Sequence, residues 1–264
     1  MQIGFAINEI LALVTLATGV CWLLWRRRRA DAARRTPWWM RWGADLFAAA
    51  ALIFGCRVSV ADWPKVPSGS MEPTLRVGDY LLVNHLAYGP RLPFTNWAIE
   101  FGQPQRGDVV VFRYPLDVSS FYVKRLVGLS GDVVAFRDGV VTVNGAPLEI
   151  EHLGDGQRDE DRGQWLVRET AGGPPRELKI NPFVQGRIPE LNLQAQGLAR
   201  HCRSERAGAW ECKVPAGQYL MLGDNRDNSE DSRTWGFLPH EQVYGKAVRV
   251  LFNLSDMSRS WTPL

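Results

Sequence analysis

The chain is expected to be mainly β: an N-terminal two-helix transmembrane hairpin, then an antiparallel β-sheet domain with a smaller β cap inserted into it. Three features of its 264 residues predict this. Two apolar stretches open the chain on either side of an arginine-rich connector. After Ala61 the sequence breaks into short β-branched and aromatic runs bounded by Gly, Pro, Asn and Asp. From about Gly145 to Pro215 that rhythm dissolves into Gly, Pro, Asp, Arg and Gln, the composition of a loop-rich insertion in which no function is expected.

The first helix is predicted over residues 3–25, interrupted only by Asn8, Glu9 and a few hydroxyls, and is long enough for a bilayer core of about 30 Å. A cleavable leader is the rival reading. However, the positive charges follow the apolar run and no small-residue cleavage signal precedes them, so the segment is expected to be retained. The connector, 26–43, holds seven arginines and one aspartate between Arg26 and Trp42. By the positive-inside rule it belongs in the cytoplasm, with the N-terminus outside.

The second span, 44–61, is weaker: only Leu46 to Cys56 is fully apolar, and a buried or interfacial helix is the alternative. Asp45 and Arg57 are expected to snorkel to the two headgroup regions. Six of the eleven tryptophans (Trp22, Trp25, Trp38, Trp39, Trp42 and Trp63) fall in this first quarter, where interfacial belts would put them. The formal charge of +3 divides unevenly, because the connector alone carries +6 and the remainder about −3. The basic balance therefore belongs to a membrane anchor and excludes a nucleic-acid surface.

Residues 62–264 are expected outside the membrane, with a core from 62–132 and 216–264 and a cap over about 133–215. Strands are predicted at Asp79 to Val83, Val109 to Arg113, Phe121 to Val127, Val133 to Phe136, Val140 to Asn144, Tyr219 to Leu222 and Val243 to Leu251. Arg137-Asp138-Gly139 reads as a hairpin turn.

Three segments of this domain carry chemistry. Pro67-Ser68-Gly69-Ser70-Met71 places a serine on a tight turn. Phe121-Tyr122-Val123-Lys124-Arg125 places a lysine inside an apolar strand. Gly223 to Gly236 packs charges, amides and hydroxyls between two hydrophobic strands. A hydroxyl is a poor nucleophile and a solvated ammonium has no lone pair, but burial disfavours the charged amine and makes it a base near neutral pH. Each segment alone is also ordinary: a turn, a surface lysine, a solvated loop.

Together, in this order, they resemble bacterial type I signal peptidase, the membrane-bound serine protease that removes signal peptides from exported proteins. Pro67 to Leu75 resembles the nucleophile box of that family, Arg106 to Phe112 a strand box, Tyr122 to Asp132 the lysine box and Gly223 to Gly236 the last box. The resemblance implies Ser70 as nucleophile and Lys124 as general base. It implies Ser68 as an oxyanion donor beside the Ser70 N–H, Ser229 as the hydrogen-bonding partner that orients the lysine amine, and Asp231 with Arg233 as a supporting ion pair. Gly69 would let the turn approach the substrate closely.

Val66, Pro67, Met71, Leu75, Leu81, Val111, Tyr122 and Val123 match the positions of shallow pockets that admit small residues at −1 and −3; core packing is the alternative for each. Phe121 is bulkier than expected beside them. Signal-peptide-bearing preproteins and the lipid bilayer are the implied partners, with no cofactor and no metal. The implied location is the bacterial inner membrane, with the catalytic domain on the periplasmic side. Only thirteen residues separate Arg57 from Ser70, so the nucleophile lies within roughly 45 Å of the outer membrane face.

Cys21 and Cys56 lie in apolar segments and read as small hydrophobes. Cys202 and Cys212 bracket a short polar loop on the exported side, where either a disulfide or two unpaired thiols would be possible; the resemblance adds that relatives sometimes carry a disulfide there. No second CxxC or paired His completes a zinc set. Two rival functions remain: a Ser-His-Asp hydrolase using His85, His152, His201 or His240, none of which lies in the matched boxes, and a noncatalytic membrane-anchored β domain, against which an intact Ser70, Lys124 and Ser229 argue.

Overall fold

A computed structural model of the chain describes residues 3–29, 36–89, 102–137, 140–155, 163–170, 175–181, 191–194, 198–206 and 209–264, with side chains from residue 9 onward. Helices α1 (Ile3–Arg29) and α2 (Trp38–Ser59) pack against each other. Trp22 meets Phe47 with ring centroids 5.6 Å apart. Gly43 faces Cys21 so closely that a β-carbon there would stand 2.7 Å from the Cys21 Cβ, so the absent side chain lets the two helices approach at that point. Helix α2 thus begins six residues before the predicted span, just after Pro37, whose fixed φ suits an N-terminus. Glu9–Arg29 and Trp38–Ser59 are each long and apolar enough to cross a membrane, and side chains such as Leu13, Leu16 and Leu52 are exposed.

Arg57 does not snorkel. Its side chain is fully buried, ion-paired to Asp62 at 2.9 Å and stacked over Trp63 at 4.3 Å. The joint between α2 and the first strand captures the guanidinium.

Among the described residues fifteen strands follow, and they form three antiparallel sheets. β1 (Ala61–Asp62), β2 (Asp79–Asn84), β3 (Val109–Tyr114) and β4 (Asp117–Gly128) come first. β5 (Val133–Arg137), β6 (Val140–Val143), β7 (Ala146–Pro147), β8 (Glu149–Asp155), β9 (Trp165–Thr170), β10 (Arg176–Ile180), β11 (Cys202–Arg206) and β12 (Ala209–Lys213) come next, with a short helix α3 (Leu198–His201) before β11. The chain closes with β13 (Gln218–Leu222), the short helix α4 (Ser232–Trp235), β14 (Leu238–Pro239) and β15 (Val243–Asn253).

The seven-stranded sheet has the order β1-β2-β15-β3-β4-β13-β14, so strands from both ends of the domain interleave. Successive side chains of a strand alternate between faces, and the core divides accordingly. Val109, Val111 and Val123 join Val66, Met71, Leu75 and Leu81 in one apolar cluster, while Val110, Phe112 and Leu126 join Met221 and Trp235 in another. The central strand β3 is buried on both sides from Val109 to Phe112, which explains its unbroken hydrophobic run.

The strands from 133 to 213 build the other two sheets, ordered β11-β12-β5-β6-β7 and β10-β9-β8. The segment read as loop-rich therefore contains regular structure, including the paired strands β8, β9 and β10. Arg137 pairs with Val140, although the turn residues Asp138 and Gly139 lie outside the described residues. Cys202 and Cys212 stand directly opposite on β11 and β12 and are joined by a disulfide.

Candidate active site

The turn carrying Ser70 is built on apolar anchors. Val66 is tied to β2 by its N–H to the Asp79 carbonyl at 2.7 Å, and Met71 and Leu75 are fully buried. Between these anchors the Glu72 N–H donates to the Gly69 carbonyl at 3.1 Å, closing the turn. Lys124 comes from β4, opposite Val110, and is 3 % exposed. Its Nζ lies 2.6 Å from Ser70 Oγ and 3.1 Å from the Val123 carbonyl.

Burial lowers the Lys124 pKa from its ordinary value to about 8. The carboxylates of Asp231, Glu230 and Asp224 push it back up, and Arg233 pushes it down. Desolvation outweighs three carboxylates because no oxygen of theirs is hydrogen-bonded to Nζ. At neutral pH a usable fraction of the amine is therefore free to accept a proton from the hydroxyl beside it.

The polar segment after β13 braces this pair. The Asn225 N–H donates to the Ser70 carbonyl at 3.1 Å, and Asn225 Nδ2 to the Gly69 carbonyl at 3.2 Å. Asp224 accepts Arg125 Nε at 2.7 Å and Nη2 at 2.5 Å, and also the Thr74 hydroxyl at 2.6 Å. Asp231 and Arg233 form a two-pronged pair at 2.8 and 2.7 Å. Asp231 also accepts the Gly223 N–H and caps α4, and its guanidinium partner holds its carboxyl below the ordinary range against full burial.

Ser229 does not make the expected bond. Its Oγ is buried without a hydrogen-bond partner, directed at Gly223, where a β-carbon would stand 2.1 Å away. The lysine amine is held instead by Ser70 and the Val123 carbonyl.

A cleft of about 400 Å³ opens over the pair, lined by Pro67, Ser68, Gly69, Ser70, Phe121, Tyr122, Val123, Lys124, Asn228 and Glu230. Of the positions expected to form pockets, Pro67, Tyr122 and Val123 line it. Val66, Met71, Leu75, Leu81 and Val111 do not; they are almost completely buried beneath Val123, as core packing. Phe121 makes one wall, edge-on to Tyr244 at 4.7 Å. Tyr122 makes another, stacked on Tyr114 at 4.2 Å, with both hydroxyls turned toward Glu230.

None of the four histidines lines the cleft. His85 contacts the Tyr244 carbonyl, His240 the Tyr219 hydroxyl, His152 Trp165 and His201 Phe237. The residues that sequence reasoning left without roles are Glu72, Arg125, Lys179, Asp224 and Asn225. Four of them stand inside the quoted boxes, but nothing local marks their partners. Lys179, on β10, reaches Glu72 at 2.6 Å across 107 residues of chain.

Comparison with known proteins agrees with this geometry. Residues 39–252 match the family described as signal peptidase, peptidase S26. The chain is 35% identical over 241 residues to signal peptidase I of Pseudomonas fluorescens, covering 87% of this chain and 78% of that one. It is 34% identical over 242 residues to signal peptidase I of Pseudomonas aeruginosa, with the same coverage of 87% and 78%. With signal peptidase I of Haemophilus influenzae the identity is 33% over 253 residues, covering 83% and 71%. A family match from α2 to the last long strand, over a serine and lysine in contact, places the chain in the signal peptidase family, peptidase S26.

Proposed function

We propose that this chain is a membrane-anchored serine endopeptidase that removes N-terminal signal peptides from exported preproteins, cutting after small residues at −1 and −3. Ser70 is the nucleophile and neutral Lys124 the general base. The observation that carries this reading is the 2.6 Å contact between Ser70 Oγ and the buried, pKa-lowered Lys124 Nζ.

In this mechanism Ser70 Oγ attacks the scissile carbonyl carbon as its proton passes to Lys124. The tetrahedral intermediate collapses, the C–N bond breaks, and the lysine ammonium gives that proton to the leaving amine, the new N-terminus of the mature protein. A water then loses a proton to Lys124 as it attacks the ester, and the serine hydroxyl is restored. In this reading the Ser70 N–H and the Ser68 hydroxyl would donate to the oxyanion, and losing one such donor typically costs about 10² to 10³ in rate. The bulky walls Phe121 and Tyr122 favour small side chains against the strand. A transmembrane pair α1–α2, with its arginines in the cytoplasm, puts the cleft outside and near the bilayer, where the end of a signal peptide would be presented.

The test is cleavage of a detergent-solubilised preprotein. Ser70→Ala, Lys124→Ala and Lys124→Arg are each expected to abolish it while the protein stays folded, since a guanidinium cannot act as base. Near-normal turnover by any of the three would defeat the assignment.

A further inference from the structure

The inserted β hairpin reaches the nucleophile. The Lys179 N–H donates to the Asp224 carbonyl at 3.0 Å, and its carbonyl accepts the Arg226 N–H at 3.0 Å, so β10 pairs with the segment that contains Asn225. Glu169 on β9 is fully buried; it binds Arg226 Nη2 at 2.8 Å and Arg176 Nη2 of β10 at 2.6 Å. The hairpin is thereby tied to Asp224 and Arg226, the neighbours on either side of Asn225, whose N–H donates to the Ser70 carbonyl. On the other side the Lys179 ammonium holds the Glu72 carboxylate at 2.6 Å, with the two side chains 7 % and 16 % exposed. That carboxylate lies under Gly69, 3.1 Å from where a β-carbon would stand.

One peptide plane receives all of this. The Gly69 carbonyl accepts Asn225 Nδ2 and the Glu72 N–H. Because a peptide is planar and trans, fixing that carbonyl fixes the opposite N–H, which belongs to Ser70. The Ser70 N–H is the backbone donor of the oxyanion site.

We infer that β9 and β10 are part of the catalytic apparatus, and that Lys179 and Glu72 are positioning residues that aim the Ser70 N–H at the developing oxyanion. The inference rests on the Ser70–Lys124 reading above. An interaction that counts only when the oxyanion forms affects kcat and not substrate binding. A misplacement of about 1 Å is enough to lose about 10²-fold in rate.

The experiment compares full-length wild type with Lys179→Met, Glu72→Gln and the exchanged pair Lys179→Glu/Glu72→Lys on a solubilised preprotein, with folded fraction measured by circular dichroism. Each single variant is expected to lose roughly 10- to 100-fold in kcat at unchanged KM and unchanged folded fraction. The exchanged pair should recover most of that loss. A single-variant kcat within about threefold of wild type, a loss carried by KM or by unfolded protein, or an exchanged pair as slow as the single variants would overturn it. Wild type and Ser70→Ala run alongside, so a failure of the Ser70–Lys124 reading itself would appear in those two arms.

Discussion

At the scale of the residue, the proposed base Lys124 would set the pH behaviour. In the proposed mechanism its amine must be neutral to take the Ser70 proton, so kcat/KM is expected to rise with pH through about 8 and level off above it. Glu230 pushes that pKa up from the rim of the cleft, and Glu230→Gln should move the rising limb to lower pH. A limb that persists in Lys124 variants with residual activity would point to another group. The same burial costs stability. Lys124 titrates near 8 when folded and near 10.5 when not, so between those values the unfolded chain binds more protons and stability rises with pH. Below about 8 the full penalty stands, on the order of 3 kcal/mol. Lys124→Met is therefore expected to be inactive but more stable at pH 7 by up to about that amount, an advantage that should fade above pH 10.5 in denaturant titrations. Ser70 and Lys124 were legible only through the resemblance of three segments taken together, since a turn serine and a strand lysine are each ordinary alone; the fold brings the two side chains to 2.6 Å. Lys179 was not, because its meaning lies in Glu72, far away along the chain.

At the scale of the element, the predicted strands at 79–83, 109–113, 121–127 and 243–251 all coincide with β structure, since β-branched and aromatic runs bounded by turn residues mark them. The strands β8 to β10 escaped for a physical reason. Their inward positions include Glu169, Arg176 and Lys179, charges buried by pairing with one another or with Arg226 and Glu72, so the period-2 pattern of apolar residues is absent. Five of the eight expected pocket positions failed in the opposite sense. Met71, Leu75 and Leu81 look like lining and are floor timber, hidden beneath Val123. The disulfide bridges adjacent strands of the five-stranded sheet, apart from the nucleophile turn. Its loop spans a sequence separation of 10, for which chain entropy gives roughly 2–3 kcal/mol. Cys202→Ser with Cys212→Ser should lower the unfolding free energy by about that much and leave kcat within about twofold, by denaturation and preprotein cleavage respectively.

At the scale of the whole molecule, the arginine connector and the two apolar helices imply one orientation. Protease added to spheroplasts is expected to degrade the region after Ala61 and spare the connector, read by N-terminal and connector-specific antibodies. Early cutting of the connector with a protected β domain would put the cleft in the cytoplasm and end the proposed role. Within that topology the joint at Arg57 has a consequence for reach. Val60 alone stands between the last residue of α2 and the first of β1, and Arg57, Asp62 and Trp63 clamp across it. Beyond Asp62, Tyr244 places its hydroxyl 3.5 Å from the carboxylate and its ring against the cleft wall Phe121. Span and cleft are thus joined through these contacts, with no tether between them. If the proposed function holds, the cleft would sit at a set height above the bilayer, and such an enzyme would measure and not search: where a preprotein is cut would depend as much on how far its chain stands out of the lipid as on which small residues it offers.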